Sequence, residues 1–430
     1  MGMLPARVAR YRAFASEGGP RDFVQDVASV QPEPSGQPEP SREPSEPVAL
    51  DPERQRLAKR YARQRQALSL VNLGISAVVI LVLLFGGVSF ALRDTLAGVS
   101  GWEPLPSWQP LRVGAYFLVL FAATLVIGLP LSYYSGFVLP HRYGLSTESF
   151  GGWVLDFVKG LAISLPIELL AVLFVYALLA VAPESWWLWT GLAMLFVTVI
   201  LAQLAPVLLV PIFYKLTPLP DGDVRRRALR LAEQARTRVR GIYSMNLSAK
   251  TTAANAMVMG LGTTRRIIVG DTLLEHYTPD EIEVVLAHEL GHQVHNDIPK
   301  LIAVESVTTL GGLYLVNVVL HAVVGRVPEY HGLADPATMP LVAAALGVFA
   351  LVLLPLTNGF SRWVERQADV YALQSTGKAP AFISAMTRLA NQNLAEVEPS
   401  PVIEFLLYNH PSIGRRLALA REWEAGESRP

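Results

Sequence analysis

The chain has 430 residues, of which 51% are hydrophobic and 17% are charged, a composition typical of proteins with several membrane-spanning helices rather than of soluble domains. Lys and Arg together number 36, as do Asp and Glu, so the charge balance gives no reason to expect nucleic acid as a partner. Because the sequence contains no cysteine, disulfides and thiolate ligands are excluded, and any metal site must use His, Asp or Glu.

The first 52 residues are rich in proline. The prolines between residues 27 and 50 lie among Glu, Ser and Gln, and such a composition buries too little apolar surface to fold. We therefore predict a disordered tail over residues 1–52. An alternative is that the segment is an extended ligand for a partner.

Six apolar runs follow, each long enough at about 20 residues to cross a bilayer as a helix. Several Arg and Lys residues between positions 54 and 65 precede the first run, and by the positive-inside rule they place the N-terminus in the cytoplasm. We predict an integral multi-pass membrane protein, located in the cell inner membrane if the source is bacterial. The runs lie at residues 68–92, 112–136, 157–181, 184–213, 301–326 and 339–356.

These runs divide the rest of the chain into four segments. Residues 53–213 are predicted to hold four spans, and residues 301–358 two more. Because the number of spans on each side is even, the polar segment 214–300 is expected in the cytoplasm. The C-terminal segment 359–430 is expected there too, as helices that complete a site.

The polar segment 214–300 is long enough for a small domain. Residues 223–238 have the pattern of an amphipathic helix, and residues 255–260 and 265–269 are strand candidates. Residues 278–281 form a capping box with proline at the first helical position. A helix is therefore predicted to begin there and to continue to about His295.

Two histidines of this helix are spaced as metal ligands. His288 and His292 are four residues apart, so their imidazoles lie on one face and one turn apart, close enough to bind one zinc ion. Glu289 lies beside the pair, where it can take a proton from an attacking water and pass it to the leaving amine. His295 lies about 10 Å further along the helix axis than His288, too far for both to bind one ion. We predict His288 and His292 as zinc ligands and Glu289 as the catalytic base.

A catalytic zinc ion usually has three protein ligands. The candidate for the third is Glu365, in the polar stretch that directly follows the sixth apolar run. Asp369 comes one turn later, where it can accept a hydrogen bond from a ligating imidazole. Since carboxylates one turn apart are also common on solvent-exposed helices, the residues alone leave this assignment open.

Several motifs follow one another in a set order: Asn255-Ala256, the run 265–274, the zinc helix, the stretch 361–369 and His410-Pro411. In that order they closely resemble the membrane-embedded CAAX prenyl proteases of type I, over residues 151–417. The resemblance implies a mainly α fold, with about six spans around a chamber and a small α+β zinc metallopeptidase domain that faces the cytoplasm. The eukaryotic members have seven spans, one more than is predicted here.

The resemblance also implies roles for particular residues. Glu365 is the third ligand of a single zinc ion, and Asp369 holds a ligating imidazole. His410 and Arg416 bind substrate or stabilise the oxyanion, with Arg415 as the alternative to Arg416. A strand edge pairs with the extended substrate backbone, and it is formed by Asn255, Ala256 and Met257.

The expected function is that of a zinc metalloendopeptidase acting on peptide or protein substrates at the bilayer. The family name implies farnesylated substrates, but no pattern in the sequence recognises a prenyl group, so the need for prenylation is left open. One alternative is a quality-control zinc peptidase of the heat-shock type, which shares the zinc helix but has fewer spans. Another is a transporter or scaffold with a structural zinc ion, which would have four protein ligands.

Overall fold

The computed structural model describes residues 48–98 and 109–426, so nearly all of the predicted Pro-rich tail lies outside the described residues. In the described part, six helices are long and apolar enough to cross a membrane. At most 22% of the most apolar window of any of them is buried inside the protein, as contact with lipid requires. The predicted mainly α fold with six spans is confirmed. The spans are Pro52–Phe85, Pro110–Arg142, Phe150–Val181, Trp186–Phe213, Asp297–Val324 and Pro336–Thr376.

Two of the first four spans change helix type near a proline. The π-helical segments Tyr134–Val138 and Ala205–Leu209 occur where Pro140 and Pro206 interrupt the α-helical hydrogen bonds, because proline has no N–H to donate. The elements of this region are α1 (Pro52–Phe85), α2 (Val88–Ala97), α3 (Gln109–Tyr133), α4 (Leu139–Arg142), α5 (Phe150–Val181), α6 (Trp186–Leu204) and α7 (Val210–Phe213).

A four-stranded sheet lies between the fourth and fifth spans, in the order β1-β2-β4-β3. The central strands β2 and β4 are parallel, and each outer strand is antiparallel to its neighbour. The two predicted strands correspond to β3 and β4, whereas β1 and β2 were not predicted. Strand β3 lies at an edge of the sheet. The elements are β1 (Leu216–Pro218), α8 (Asp223–Gln234), β2 (Gly241–Met245), β3 (Ala256–Met259), β4 (Arg266–Gly270) and α9 (Asp271–His276).

The helix that was predicted to carry the metal ligands is buried between the sheet and the C-terminal helices. Its fully buried Leu286 and Leu290 belong to the largest hydrophobic core, together with Ile267 of β4, Leu373 and Phe382. The remaining elements are α10 (Pro279–Val294), α11 (Asp297–Val324), α12 (Met339–Thr376), α13 (Ala379–Gln392), α14 (Pro401–Leu407) and α15 (Ile413–Glu424), with 3₁₀ turns at Leu247–Ala249, Gly262–Thr264 and Pro336–Thr338.

Helix α12 joins the membrane region to the soluble site. It begins at Met339 and continues to Thr376, well beyond the apolar run that was predicted to end at residue 356. Both Glu365 and Asp369 are on this extension and are buried. A single helix therefore carries two candidate site residues from the sixth span to α10.

Candidate metal and active site

The N-terminus of α10 is fixed by the predicted capping box. The Glu281 N–H donates to Thr278 Oγ1 at 3.3 Å, and the Thr278 N–H donates to Glu281 Oε2 at 2.8 Å. Arg388 Nε donates to the same carboxylate, at Oε1 and 2.8 Å. The helix ends at Val294, and Asn296 adopts a left-handed conformation (φ 54°) before α11 begins. His288, Glu289 and His292 therefore lie on a helix that is anchored at both ends.

The two predicted histidine ligands converge on Glu365. His288 Nε2 is 3.3 Å from Glu365 Oε2, and His292 Nε2 is 3.7 Å from Glu365 Oε1. One ligand atom from each of the three residues lies within 4.8 Å of the others. His295 is outside this group, and its ring is 6.0 Å from that of Tyr371. The three residues form a possible metal site.

A glycine brings the two helices of this site together. A Cβ atom on Gly291 would lie 3.1 Å from Ala368 Cα of α12 and 3.3 Å from its carbonyl oxygen. Any larger residue at 291 would thus press against backbone, which does not yield as a flexible side chain does. The missing side chain lets α10 approach α12 closely enough for Glu365 to reach the imidazoles.

Each imidazole is held through its other nitrogen by a buried carboxylate. His288 Nδ1 is 2.9 Å from Asp369 Oδ1, and His292 Nδ1 is 3.0 Å from Asp297 Oδ2. Both carboxylate side chains are 1% exposed. A carboxylate at Nδ1 favours the tautomer with the proton there, which leaves Nε2 free to bind a metal.

Asp297 was missed by reasoning from the sequence. It is the first residue of α11, and Lys300 Nζ also lies near it, 3.2 Å from Oδ1. The signal that could have found it is an acidic residue directly after the predicted end of the zinc helix. Only the reversal of the chain at Asn296 brings this carboxylate back to His292.

The charges of the site shift the pKa values of its residues. Although burial disfavours the imidazolium, the nearby carboxylates of Asp369 and Glu365 raise the pKa of metal-free His288 to about 9. Burial also raises the pKa of the Glu289 carboxyl, against the opposing effect of His288 and His292. A carboxyl with a raised pKa is a better proton acceptor than one exposed to water, as a general base requires.

Arg416 lies behind His288, and Arg415 does not. The Arg416 guanidinium donates from Nε to Asp369 Oδ2 at 2.9 Å, and its Nη2 is 3.4 Å from His288 Nδ1. Arg415 pairs instead with Glu404 at 3.1 Å, and its side chain is 69% exposed. Of the two predicted alternatives, Arg416 is therefore the one that contacts the residues around the candidate metal site.

His410 approaches the site from the solvent side. Its Nε2 is 3.2 Å from Glu365 Oε1, while the side chain is 54% exposed. Its Nδ1 is 2.9 Å from the Asn409 side-chain oxygen. His410 is thus placed where a bound substrate can reach it.

The predicted substrate-binding strand lies next to Glu289, the predicted catalytic base. Met257 of β3 is opposite Ile268 of β4, and in the sheet β3 has no neighbour on its other side. Ala256 is buried and Asn255, just before the strand, is exposed. The backbone of Val258 acts on the Glu289 carboxyl and lowers its pKa, against the larger effect of burial. The free edge of β3 is therefore adjacent to Glu289.

Comparison with known proteins adds two family matches that follow one another along the chain. Residues 41–215 match the family model described as CAAX prenyl protease N-terminal, five membrane helices, and residues 218–424 match peptidase family M48. The uncharacterized metalloprotease YhfN of Bacillus subtilis is 28% identical over 378 residues, which are 87% of each chain. CAAX prenyl protease 1 of Saccharomyces cerevisiae is 28% identical over 321 residues, or 70% of each chain.

The overall architecture also matches a solved structure. The crystal structure of S. mikatae Ste24p superimposes with a TM-score of 0.75 and covers 86% of this chain and 89% of its own, at 23% identity. The spans, the sheet and the convergent His and Glu residues thus define a membrane-embedded metalloprotease. The chain thus carries a peptidase family M48 region and, before it, the N-terminal membrane region of the CAAX prenyl proteases, so the resemblance noted in its motifs is confirmed.

The match to a family of metal-dependent peptidases bears on the alternative functions that the sequence left open. It favours an enzyme over a transporter or scaffold with a structural ion, and it implies peptide or protein substrates. Four of the spans lie within the match to the N-terminal family model. The identity of the ion, the substrate and the orientation in the membrane belong to the proposal below.

Proposed function

We propose that the chain is a zinc-dependent endopeptidase that cleaves membrane-associated peptides at the cytoplasmic face of the bilayer. In this proposal His288, His292 and Glu365 bind one zinc ion, and Glu289 is the general base. The observation that carries it is the convergence of three ligand atoms within 4.8 Å. Glu289, which is partly exposed, directly follows the first ligand, His288.

The residues present fit a zinc ion. Glu365 Oε2 is buried without a hydrogen-bond partner although it lies 3.3 Å from His288 Nε2, an arrangement that a shared cation would satisfy. Two imidazole nitrogens and one carboxylate are a ligand set found in catalytic zinc sites. A bound zinc ion would polarise the scissile carbonyl and lower the pKa of water.

The protein's own residues supply the proton transfers and the orientation. Glu289 accepts the proton of the attacking water and passes it to the leaving amine. Asp369 and Asp297 hold the two imidazoles through Nδ1. His410, which is partly exposed, is assigned to the oxyanion or the substrate backbone. Arg416 is ion-paired with the buried Asp369, so we assign it to positioning Asp369 and His288.

The free edge of β3 supports an extended peptide as the substrate. A peptide that adds to this edge at Asn255, Ala256 and Met257 would be held mainly through its backbone, which tolerates many side chains. Relatives that bear the name CAAX prenyl protease make a prenylated peptide the first substrate to test.

The Glu289→Gln variant tests the proposal. Purified protein should contain one zinc ion per chain in both wild type and variant, measured by elemental mass spectrometry, but only wild type should cleave a fluorogenic peptide. Glu233→Gln is the matched control, because Glu233 is exposed on α8. Full activity in Glu289→Gln would refute the mechanism. Comparing farnesylated and unmodified versions of one peptide then decides whether prenylation is required.

The cytoplasmic orientation rests on the basic residues before the first span. Because the chain has no cysteine, a single Leu229→Cys on α8 gives one label site in the soluble domain. A membrane-impermeant maleimide should label it in inside-out vesicles and not in intact cells. Labelling of intact cells would reverse the proposed orientation.

A further inference from the structure

Helix α14 has its polarity inverted. Its one charged residue, Glu404, is 6% exposed, whereas Val402 is 64% exposed, Phe405 55% and Leu407 48%. A helix packed on a water-soluble domain normally turns its apolar residues inward and its charges outward. A contiguous exposed apolar patch on such an element marks an interaction surface.

The depth of α14 along α12 indicates what covers this surface. On α12, Val348, Val352 and Leu356 are exposed at four-residue spacing, so they form a lipid-facing stripe. Trp363 is 49% exposed on the same face two turns later, about 10 Å further along the axis. Tryptophan is enriched where a span meets the headgroup region. Lys300 Nζ lies 5.5 Å from the Trp363 ring.

The backbone of α14 is hydrogen-bonded to α12 between Leu356, where the lipid-facing stripe ends, and Trp363. Asn358 Nδ2 donates to the Leu406 carbonyl at 2.8 Å, and Arg362 Nη1 donates to the Glu404 carbonyl at 3.0 Å. Positions 358 and 362 both come after the last exposed leucine of the stripe and before Trp363. The backbone of α14 is therefore held at the depth where the lipid-facing stripe of the sixth span ends.

A basic pocket of about 180 Å³ adjoins α14 at the next level of α12. Arg416 is paired with Asp369 and Arg415 with Glu404. The other two arginines have no carboxylate partner: Arg362 donates to backbone carbonyls, and Arg366 has no polar partner among the described residues. Two positive charges are thus unbalanced. The pocket is lined by Arg362, Arg366, Asp369, Glu404, Pro411, Arg415, Arg416 and Leu419.

We propose that α14 is inserted in the membrane interface beside the active site and that the basic pocket binds the headgroup phosphate of an anionic phospholipid. The acyl chains lie against Phe405 and its apolar neighbours, and the phosphate lies between Arg362 and Arg366. Basic residues at the end of a span attract anionic lipids in this way. The apolar rim and the depth of the pocket favour a lipid over a soluble anion. This inference rests on the membrane embedding and not on the proposed peptidase mechanism.

Single-cysteine labelling tests the insertion of α14, since the chain has no cysteine of its own. Phe405→Cys and, independently, Val402→Cys are labelled with an environment-sensitive fluorophore in full-length protein in liposomes. Leu70→Cys on α1, where Leu70 is 67% exposed, is the lipid-facing control, and Leu229→Cys on α8, where Leu229 is 40% exposed, is the aqueous control. We expect brominated phosphatidylcholine to quench the α14 labels as it does the α1 label. Quenching by aqueous iodide as at position 229 would overturn the insertion.

The headgroup site is tested in the labelled Phe405→Cys protein with brominated phosphatidylglycerol against brominated phosphatidylcholine at equal mole fraction. We expect stronger quenching by the anionic lipid. Arg366→Gln should lower the preference about five-fold, the equivalent of the ~1 kcal/mol that one basic residue contributes at a membrane surface. Arg226→Gln is the matched control, because Arg226 is 69% exposed on α8.

Three outcomes would overturn the lipid site. They are equal quenching by the two lipids, a preference that survives Arg366→Gln, and displacement of the anionic lipid by inorganic phosphate at a constant ionic strength. The last would identify a site for free phosphate instead. None of these readouts needs peptidase activity, so an inactive protein would not change them.

Discussion

Replacing Asp297 with asparagine tests whether the buried carboxylate behind His292 contributes to metal binding. His292 Nδ1 and Asp297 Oδ2 are 3.0 Å apart, and the Asp297 side chain is 1% exposed, so water cannot readily replace the carboxylate. Asparagine keeps the shape but removes the charge that favours the proton at Nδ1. Losing such a partner typically lowers metal affinity about 10- to 100-fold, which is about 1.4–2.7 kcal/mol.

The assay is zinc affinity of purified full-length protein, measured by competition with a chromophoric chelator. We expect weaker binding by Asp297→Asn and recovery of most peptidase activity when zinc is in excess. Lys300→Gln is the matched control, because Lys300 contacts the other oxygen of Asp297 at 3.2 Å and does not touch the imidazole. The reasoning is refuted if Asp297→Asn binds zinc as tightly as wild type, or if the control weakens binding equally.

Three further predictions concern helix α10. Gly291→Ala should lower the free energy of unfolding by about 1–3 kcal/mol, because the added Cβ would press on Ala368 of α12. Thermal unfolding measures this loss. Gly347→Ala is the control and should show no comparable loss, because an added Cβ there meets nothing within 4 Å. Thr278→Ala removes the cap of α10 and should cost about 1 kcal/mol in denaturant unfolding, and an unchanged midpoint would contradict this. The His288 pKa of about 9 predicts that zinc affinity of the metal-free protein rises about tenfold per pH unit towards pH 9, since zinc must displace that proton, and a flat titration would be inconsistent with it. Because this folded pKa exceeds the ordinary value of 6.5, protonation of His288 stabilises the metal-free protein fully below pH 6.5, and that stability is lost as pH rises through about 9.

Local patterns in the sequence were sufficient to predict helix α10 and the face that carries its two histidines. The capping box at 278–281 marks its start, and the four-residue spacing of His288 and His292 follows from helical periodicity. The apolar runs likewise indicate the six spans, because their length must match the bilayer. The ends of the spans were not predictable from hydropathy. Helix α1 begins at Pro52 and α12 continues to Thr376, since a helix can extend through polar sequence once its span is formed.

Contacts between distant segments were harder to predict from the sequence. An acidic residue directly after the predicted end of α10 does not by itself show that the chain reverses at Asn296 and returns the Asp297 carboxylate to His292. Glu365 was assigned from the order of the family's motifs, because its distance from the imidazoles depends on how α10 packs against α12. Strands β1 and β2 were missed for a related reason: Leu216–Pro218 is only three residues long, and its pairing partner lies beyond α8.

The balance of charge around the site is an independent argument for a divalent cation. Arg416 and Lys300 each pair with one buried carboxylate, which leaves two negative charges uncompensated. Uncompensated charges are costly in a buried site, and a bound dication would neutralise both. Without the ion, protonation of His288 compensates only one of them, in agreement with its raised pKa. The ion is thus expected to stabilise the contact between α10 and α12 as well as to serve catalysis. The carboxylates concerned are Glu289, Asp297, Glu365 and Asp369.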